Sequence, residues 1–166
     1  MEKFVPLADL GIVTVPEKHQ LAAFRKENER FFWHYNEAIT DAHFSNPTRT
    51  LKPDDRFRVQ VFRQVVSGAT TSEERIDFCR RQEGNAFVGA QGISLVFGQR
   101  RDLLPRGLWY GSLDHRKHLW RDTSGCHGVP NLVVLSGGGF ALDLRCFEQP
   151  RDVGYAFLLF RDLAGS

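Results

Sequence analysis

Four potential metal ligands lie close together in the second half of the chain. His115 and His118 are separated by two residues, and the adjacent pair Cys126 and His127 follows after seven more. Imidazole nitrogen and thiolate sulfur are the usual ligands of zinc. The spacing His-x2-His-x7-Cys-His matches no common structural zinc motif, and adjacent residues do not easily point at one ion. These residues predict either a metal site or a solvated basic loop, and the spacing favours the loop.

Cys126 is also the best candidate for a nucleophilic cysteine. A reactive thiolate needs a neighbouring base, and three histidines lie near Cys126 in the sequence. Cys79 and Cys146 occupy positions on apolar faces, where cysteine is usually inert. The sequence has no Gly-x-Ser-x-Gly or His-Glu-x-x-His signature, so we assign no catalytic residue. Three cysteines without paired spacing favour reduced thiols and an intracellular, cytoplasmic protein.

Pairs of basic residues recur along the chain and raise the hypothesis of nucleic-acid binding. Small β barrels bind single strands in a positive groove that carries aromatic platforms. The candidate contacts are Arg80, Arg81, Arg100, Arg101, Trp109, Arg116, Lys117 and Trp120. They would converge if their loops lie at one end of a sheet. Acidic residues are interleaved with them and the net charge is only +2, so charge alone does not identify a nucleic-acid protein.

Two further polar groups have simpler interpretations. Ser136 precedes three consecutive glycines, which resembles an anion-binding nest of backbone N–H groups. A P-loop also needs Gly-Lys-Ser/Thr and a following helix. Because a strand is predicted to follow here, we interpret the glycines as a hairpin turn. His34 and Asp41 are expected on one face of a helix, as polar residues bordering an aromatic stripe.

The elements that would position these residues are clearest in the last third of the chain. Residues 131–136 are an apolar run, and residues 140–146 alternate apolar and polar side chains after the glycine turn. Together with residues 155–160 they predict three consecutive antiparallel strands. Further strands are predicted at residues 57–61, 86–88, 93–97 and 108–113.

The N-terminal third is predicted to be mainly helical after an edge strand or arm at residues 4–15. Residues 14–17 have the Thr-x-x-Glu form of a capping box, and large apolar residues recur at helical spacing as far as Phe44. We expect one long helix, or two with a break near Asn28, ending before Pro47. Residues 71–74 have the same capping form and predict a short inserted helix.

These elements predict an α+β fold with a mainly antiparallel, curled or barrel-like sheet of about six strands, a long N-terminal helix and one short inserted helix. We expect the 166 residues to form a single domain, with an arm and helix in residues 1–50 and a β-rich body in residues 51–166. The chain has no apolar run long enough to span a membrane and no apolar N-terminal leader. A soluble protein without a membrane partner is therefore expected.

The order of several local motifs carries a resemblance. The Thr-capped segment 69–74 (Ala-Thr-Thr-Ser-Glu-Glu) precedes the glycine-spaced segment 89–95 and the turn and aromatic strand of segment 104–109. Over roughly residues 57–162, this order resembles a group of small uncharacterised bacterial proteins with a helical N-terminal segment and a β-rich domain. The resemblance implies a soluble bacterial protein. It carries over no catalytic or binding residue, because no activity is known for that group.

These observations predict a non-catalytic binding or structural interaction module without a cofactor. Its partner would be another protein or a second copy of the chain, and the polar residues concentrated in loops support this interpretation. The first alternative is a nucleic-acid-binding module that uses the arginine pairs and exposed Trp and Tyr side chains. The second is a metal- or cysteine-dependent enzyme centred on His115, His118, Cys126 and His127.

Overall fold

The computed structural model describes residues 2–163, which form an α+β fold around one open sheet. The strands are β1 (Phe4–Thr14), β2 (Phe32–Tyr35), β3 (Arg56–Gln64), β4 (Asn85–Ala86), β5 (Leu108–Ser112), β6 (Gly128–Val134), β7 (Phe140–Cys146) and β8 (Tyr155–Asp162). The α-helices are α1 (Leu21–Asn28), α2 (Ser72–Arg80) and α3 (Ala90–Arg100). Within the described range, no helix combines the length and apolar character that crossing a membrane requires.

The sheet has eight strands and mixed direction. Its order is β1-β3-β8-β5-β6-β7-β2, and β4 pairs with β8 beside the stretch that β5 uses. β5 runs parallel to β8 and β2 runs parallel to β7, whereas the other pairs are antiparallel. The predicted six-stranded, mainly antiparallel and curled or barrel-like sheet was therefore wrong. Alternating side chains identify a strand, but they carry no information about the direction of its neighbour.

The predicted long N-terminal helix was also wrong. β1 lies where an edge strand or arm was predicted, but the segment after it forms the short helix α1, the strand β2 and a series of turns. The apolar residues that suggested one helical stripe are buried from different elements: Leu21 and Phe24 from α1, Tyr35 from β2, and Phe44 from a turn. Their spacing matched a helix only by coincidence, because three separate elements turn their apolar side chains to the same core.

The helix α1 begins later than its predicted cap and is capped from elsewhere. Thr14 is the last residue of β1, and the first helical N–H groups, those of Leu21 and Ala22, donate to the Asp41 carboxylate at 2.7 and 3.1 Å. Asp41 therefore does not share a helix face with His34. The His34 Nε2 atom on β2 instead lies 3.6 Å from the carboxylate of Asp143.

Residues 90–100 form a helix where a strand was predicted. α3 is buried on most of its surface, so its apolar run fits a buried helix as well as a buried strand. A Cβ atom on Gly92 would lie 2.5 Å from the Val88 side chain and 2.6 Å from the ring of Phe160 on β8. The glycine therefore lets α3 pack closely on the sheet.

Helix α2 and the glycine hairpin form where the sequence predicts them. Thr71 accepts a hydrogen bond from the Glu74 N–H at 3.1 Å, and the Glu74 carboxylate accepts from the Thr71 N–H at 3.3 Å. This capping box starts α2. Between β6 and β7, the N–H of Leu135 donates to the Gly139 carbonyl at 2.8 Å, which closes the hairpin turn.

Phenylalanine side chains fill the interior between β1, β3, β8 and α2. Phe4, Phe62, Phe78 and Phe157 pack with ring centroids 4.9 to 6.0 Å apart, mostly edge to face. Such pairs add about 0.5–1.5 kcal/mol each beyond the burial of apolar area. Arg75 from α2 is buried among them, and its guanidinium lies 5.4 Å from the centroid of the Phe157 ring.

Candidate functional site

The polar loop between β5 and β6 is anchored at its start by a buried carboxylate. Asp114 is 1% exposed and accepts hydrogen bonds from the backbone and hydroxyl of Thr48 and from the His115 N–H. Further along, the Nδ1 atom of His118 lies 2.7 Å from the Asn46 carbonyl oxygen. The loop is therefore tied to the chain segment before β3, which fixes where His115 meets solvent.

A second carboxylate shapes the return of the loop towards β6. The Oδ1 atom of Asp122 accepts hydrogen bonds from the N–H groups of Ser124 and Cys126, both at 2.9 Å. Hydrogen bonds, above all from the Ser124 hydroxyl, hold the pKa of Asp122 below its ordinary value. Arg121 then forms an isolated β-bridge with His127. This tight turn fixes the position of Cys126 directly before β6.

Cys126 forms a disulfide bond with Cys146 at the end of β7, with 5.4 Å between the Cα atoms. Cys79 is buried as a free thiol, and burial raises its pKa to about 12. The expectation that the thiols are all reduced was therefore wrong. The sequence spacing does not reveal the pair. The sheet register does, because it places Gly128 opposite Cys146 and so brings the residues just before β6 to the end of β7.

An open depression of about 500 Å³ lies on this loop. Its lining consists of His115, Arg116, Lys117 and His127, four of the residues that the sequence analysis selected. Burial, and then repulsion from Arg80 and other nearby cations, lowers the pKa of His115 although Asp114 opposes the shift. The depression thus collects imidazole, guanidinium and ammonium groups on one concave surface.

Carboxylates hold two of these side chains at the rim. The Nδ1 atom of His127 lies 3.1 Å from Oε1 of Glu148, and the His127 N–H donates to the same oxygen at 2.8 Å. Burial raises the pKa of Glu148, but the hydrogen bonds from His127 outweigh it, so the net shift is downward. Arg116 lies 3.5 Å from a Glu73 oxygen. Among the described residues, Lys117 has no carboxylate within ion-pair distance.

The four residues proposed as metal ligands are not assembled around one point. The ring centroids of His115 and His118 are 6.5 Å apart, and His118 is engaged by a backbone carbonyl. The donor atoms that do lie within 4.8 Å of one another are those of Cys126, Cys146 and Glu148. Cys146 and Glu148 cannot be assigned to this cluster from their spacing in the sequence, because only the β6–β7 register shows that the end of β7 reaches Cys126.

The basic pairs of the nucleic-acid hypothesis lie in different surroundings. Arg80 is 3.7 Å from Asp77 on α2, and Arg81 lines a separate depression of about 260 Å³ near the N-terminal end of β1. Arg100 donates to the carbonyl groups of Leu10 and Ile12 on β1. Arg116 and Lys117 thus lie on the loop and Arg80 lies near it, whereas Arg100 is bound to β1.

The other three residues of that hypothesis are packed against neighbours. Arg101 donates to the Phe97 carbonyl at 3.1 Å and covers that residue's ring at 4.8 Å. The Arg145 guanidinium lies 4.1 Å over the ring of Trp109. Trp120 is stacked on a histidine, His43, with ring centroids 4.5 Å apart. These aromatic rings therefore already have partners on one face.

One constellation was not anticipated from the sequence. The Nε2 atom of His19 lies 2.8 Å from Oγ of Ser94 on α3, and the Ser94 hydroxyl also donates to the Gln91 carbonyl at 2.7 Å. Burial is the main reason why the pKa of His19 is lowered. The two residues are 75 positions apart in the sequence, so no local motif predicts that they are in contact. Their hydrogen bonds fasten the segment before α1 onto α3.

The side chains around the depression carry hydrogen-bond donors. Lysine and arginine side chains are hydrogen-bond donors at neutral pH, and histidine donates from one or both ring nitrogens. Bonds from such groups to phosphate or carboxylate oxygens are about twice as strong as those between neutral groups. The adjoining sulfur pair adds redox chemistry. Comparison with protein-family models, with curated proteins and with solved structures finds no match for this chain.

Proposed function

We propose that the protein is a non-catalytic binding module whose partner, another protein, presents an anionic group to the depression. The convergence of four nitrogen-bearing side chains, His115, Arg116, Lys117 and His127, on one concave surface carries the proposal. A phosphate or carboxylate group fits this donor set. Because the depression is open, it suits one group of a larger partner better than a small molecule, which pockets usually enclose.

The ion pair of Arg116 at the rim leaves this cation accessible to an incoming anion. The side chains of Arg116 and Glu73 are 52% and 57% exposed, and the pair spans 3.5 Å. Exposed pairs of this kind contribute only about 0–1 kcal/mol, so a ligand can replace the carboxylate at small cost. Lys117 offers a further donor beside them.

The nucleic-acid alternative has weaker support. A single-strand binder needs a continuous positive groove with free aromatic faces. Here Arg100 is bound to the carbonyl groups of β1, and Trp109 and Trp120 are covered by Arg145 and His43. Arg80, Arg116 and Lys117 remain near the loop for contacts with a phosphate backbone, whereas Arg81 lines a separate depression.

Titration of the oxidised protein with inorganic pyrophosphate, followed by amide chemical shifts, tests the proposal. We expect the largest shifts at residues 115–118 and 127–128. Lys117→Ala should weaken binding about three- to tenfold, because a hydrogen bond to a charged group is lost at an exposed site. Lys26→Ala, which removes an exposed lysine from α1, is the matched control and should bind like the wild type.

Two results would contradict the proposal. Shifts spread evenly over the surface, or an equal loss of affinity in Lys26→Ala, would show that the depression is not the site. Tighter, steeply salt-dependent binding of a single-stranded DNA oligomer, abolished by Arg116→Ala, would favour the nucleic-acid alternative.

A further inference from the structure

Two sulfur atoms, a carboxylate and an imidazole meet where the loop reaches the end of β7. The Cys146 Sγ atom lies 3.8 Å from Oε1 of Glu148, and the donor atoms of Cys126, Cys146 and Glu148 all lie within 4.8 Å of one another. His127 Nδ1 is 3.1 and 3.2 Å from the two oxygens of Glu148. The sulfur pair therefore has a ready carboxylate neighbour, which is itself held by an imidazole.

We propose that reduction of the Cys126–Cys146 disulfide creates a zinc site. The protein ligands are the two thiolates and the Glu148 carboxylate, and His127 is a positioning residue that orients the carboxylate. Zinc accepts sulfur and carboxylate ligands in tetrahedral geometry, with the fourth position open to water. This site is independent of the anion-binding function, although His127 borders both.

The distances suit a tetrahedral ion. Zinc–sulfur bonds of about 2.3 Å and zinc–oxygen bonds of about 2.0–2.2 Å place two sulfur ligands about 3.8 Å apart and a sulfur and an oxygen about 3.5 Å apart. The observed 3.8 Å between Cys146 Sγ and Glu148 Oε1 is close to that value. The Cα atoms of the cysteines are 5.4 Å apart, so side-chain rotation alone can separate the freed sulfur atoms.

The turn that carries Glu148 is fixed by backbone contacts. The Phe147 N–H donates to the His127 carbonyl at 2.7 Å, and the Gln149 N–H donates to the Cys146 carbonyl at 3.1 Å. Arg151, which is 6% exposed, also donates to the Cys146 carbonyl at 2.7 Å. None of these contacts uses the disulfide, so the turn that carries Glu148 keeps its backbone hydrogen bonds when that bond is broken. A preorganised ligand set favours metal binding.

The redox step balances with a dithiol as the reductant. The dithiol is oxidised to its disulfide, and its two electrons and two protons convert the Cys126–Cys146 bond into two thiols. Zinc then displaces the two thiol protons into solvent, because the thiolate is the metal-binding form. The oxidised, disulfide form of that reagent reverses these steps: it takes two electrons from the thiolates and two protons from solvent, the Cys126–Cys146 bond forms again, and the ion is released. The oxidised and zinc-bound forms are therefore alternatives at one place in the fold.

Cobalt(II) titration of the full chain tests this site. The protein is reduced with tris(2-carboxyethyl)phosphine, freed of reductant without oxygen, and titrated with cobalt(II) and then zinc(II). We expect one cobalt per reduced chain, with thiolate-to-cobalt charge-transfer absorption that zinc abolishes, and no such absorption from the oxidised chain. Glu148→Gln should weaken zinc binding at least tenfold, and His127→Ala about tenfold, as losses of supporting contacts do at other metal sites.

Glu83→Gln, an exposed glutamate elsewhere on the surface, is the matched control and should leave the zinc affinity unchanged. Absence of charge-transfer absorption from the reduced wild type overturns the proposal. Equal zinc affinity in Glu148→Gln and Glu83→Gln removes Glu148 from the ligand set and also overturns it. The pyrophosphate titration uses the oxidised protein, so failure of one proposal is distinguishable from failure of the other.

Discussion

Two regions of the molecule accommodate positive charge in opposite ways. In the interior, Arg75 is 2% exposed, and no carboxylate within residues 2–163 lies at ion-pair distance. Its guanidinium donates to neutral acceptors, the Thr70 hydroxyl, the Gln64 amide oxygen and the Tyr155 carbonyl. On the loop, Arg116 is half exposed and has a carboxylate beside it. A cation whose guanidinium nitrogens all have acceptors inside the fold serves stability, whereas a solvated one remains available to a ligand.

Carbonyl dipoles and aromatic ring faces stabilise the buried charge of Arg75. Phe4 and Phe157 lie 5.6 and 5.4 Å from the Arg75 guanidinium, and Asp152 supplies a further carbonyl at 3.4 Å. Burial lowers the pKa of Arg75 to about 10, yet that value still leaves it charged at neutral pH. A buried charge of this kind is tolerated only while its hydrogen bonds are complete.

Replacement of the two arginines gives the largest contrast between the regions. Arg75→Met should lower the free energy of unfolding by about 3–4 kcal/mol, because Thr70, Gln64 and Tyr155 lose a donor in a buried site. Arg116→Met should change it by about 0.5 kcal/mol or less. Urea unfolding measures both values. Similar losses in the two variants would show that buried Arg75 contributes no more to stability than exposed Arg116.

Removal of the disulfide tests how much this bond adds to the hydrogen bonds of Asp114 and Asp122 in stabilising the loop. Closing a chain segment of 20 residues should contribute about 3 kcal/mol through the entropy of the unfolded state. Reduction in the presence of a chelator should therefore lower the midpoint of urea unfolding. The double variant Cys126→Ala/Cys146→Ala should unfold at this lower urea midpoint, and the reductant should not change its midpoint. If reduction leaves the unfolding midpoint of the wild type unchanged, the disulfide does not stabilise this loop.

The histidines extend the comparison to pH, with the smallest effect. Burial lowers the pKa of both His19 and His115, so the unfolded chain binds more protons than the folded chain between the lowered value and about 6.5. Stability should therefore fall as the pH drops below about 6.5. His19→Gln should reduce this dependence more than His115→Gln, because His19 is more deeply buried and contacts Ser94. Urea unfolding at several pH values measures this dependence. A larger reduction in His115→Gln than in His19→Gln would contradict the prediction.

The sequence predicted best those elements whose causes are local. The capping box of Thr71 and Glu74 and the hairpin of Gly137, Gly138 and Gly139 involve only neighbours in the chain. α1 was misplaced because its cap, Asp41, lies 20 residues beyond its start.

The site divides in the same way. His115, Arg116 and Lys117 lie together because they are consecutive in the sequence, and His127 joins them where the loop returns to β6. Cys146 and Glu148 reach Cys126 only through the pairing of β6 with β7. Contacts that depend on strand register are invisible to spacing arguments, since register is settled by the packing of the whole sheet.

The contact between α3 and β1 has a consequence for assembly. β1 is one of the edge strands of the sheet. Along residues 10–14 its outward-facing polar groups bond to side chains of α3: Arg100 binds the Leu10 and Ile12 carbonyls, and Gln99 binds both backbone groups of Thr14. Exposed strand edges are templates for fibrillar aggregation. Here the template is masked by two side chains of the same molecule, so the native chain resists elongation by a foreign strand along this stretch.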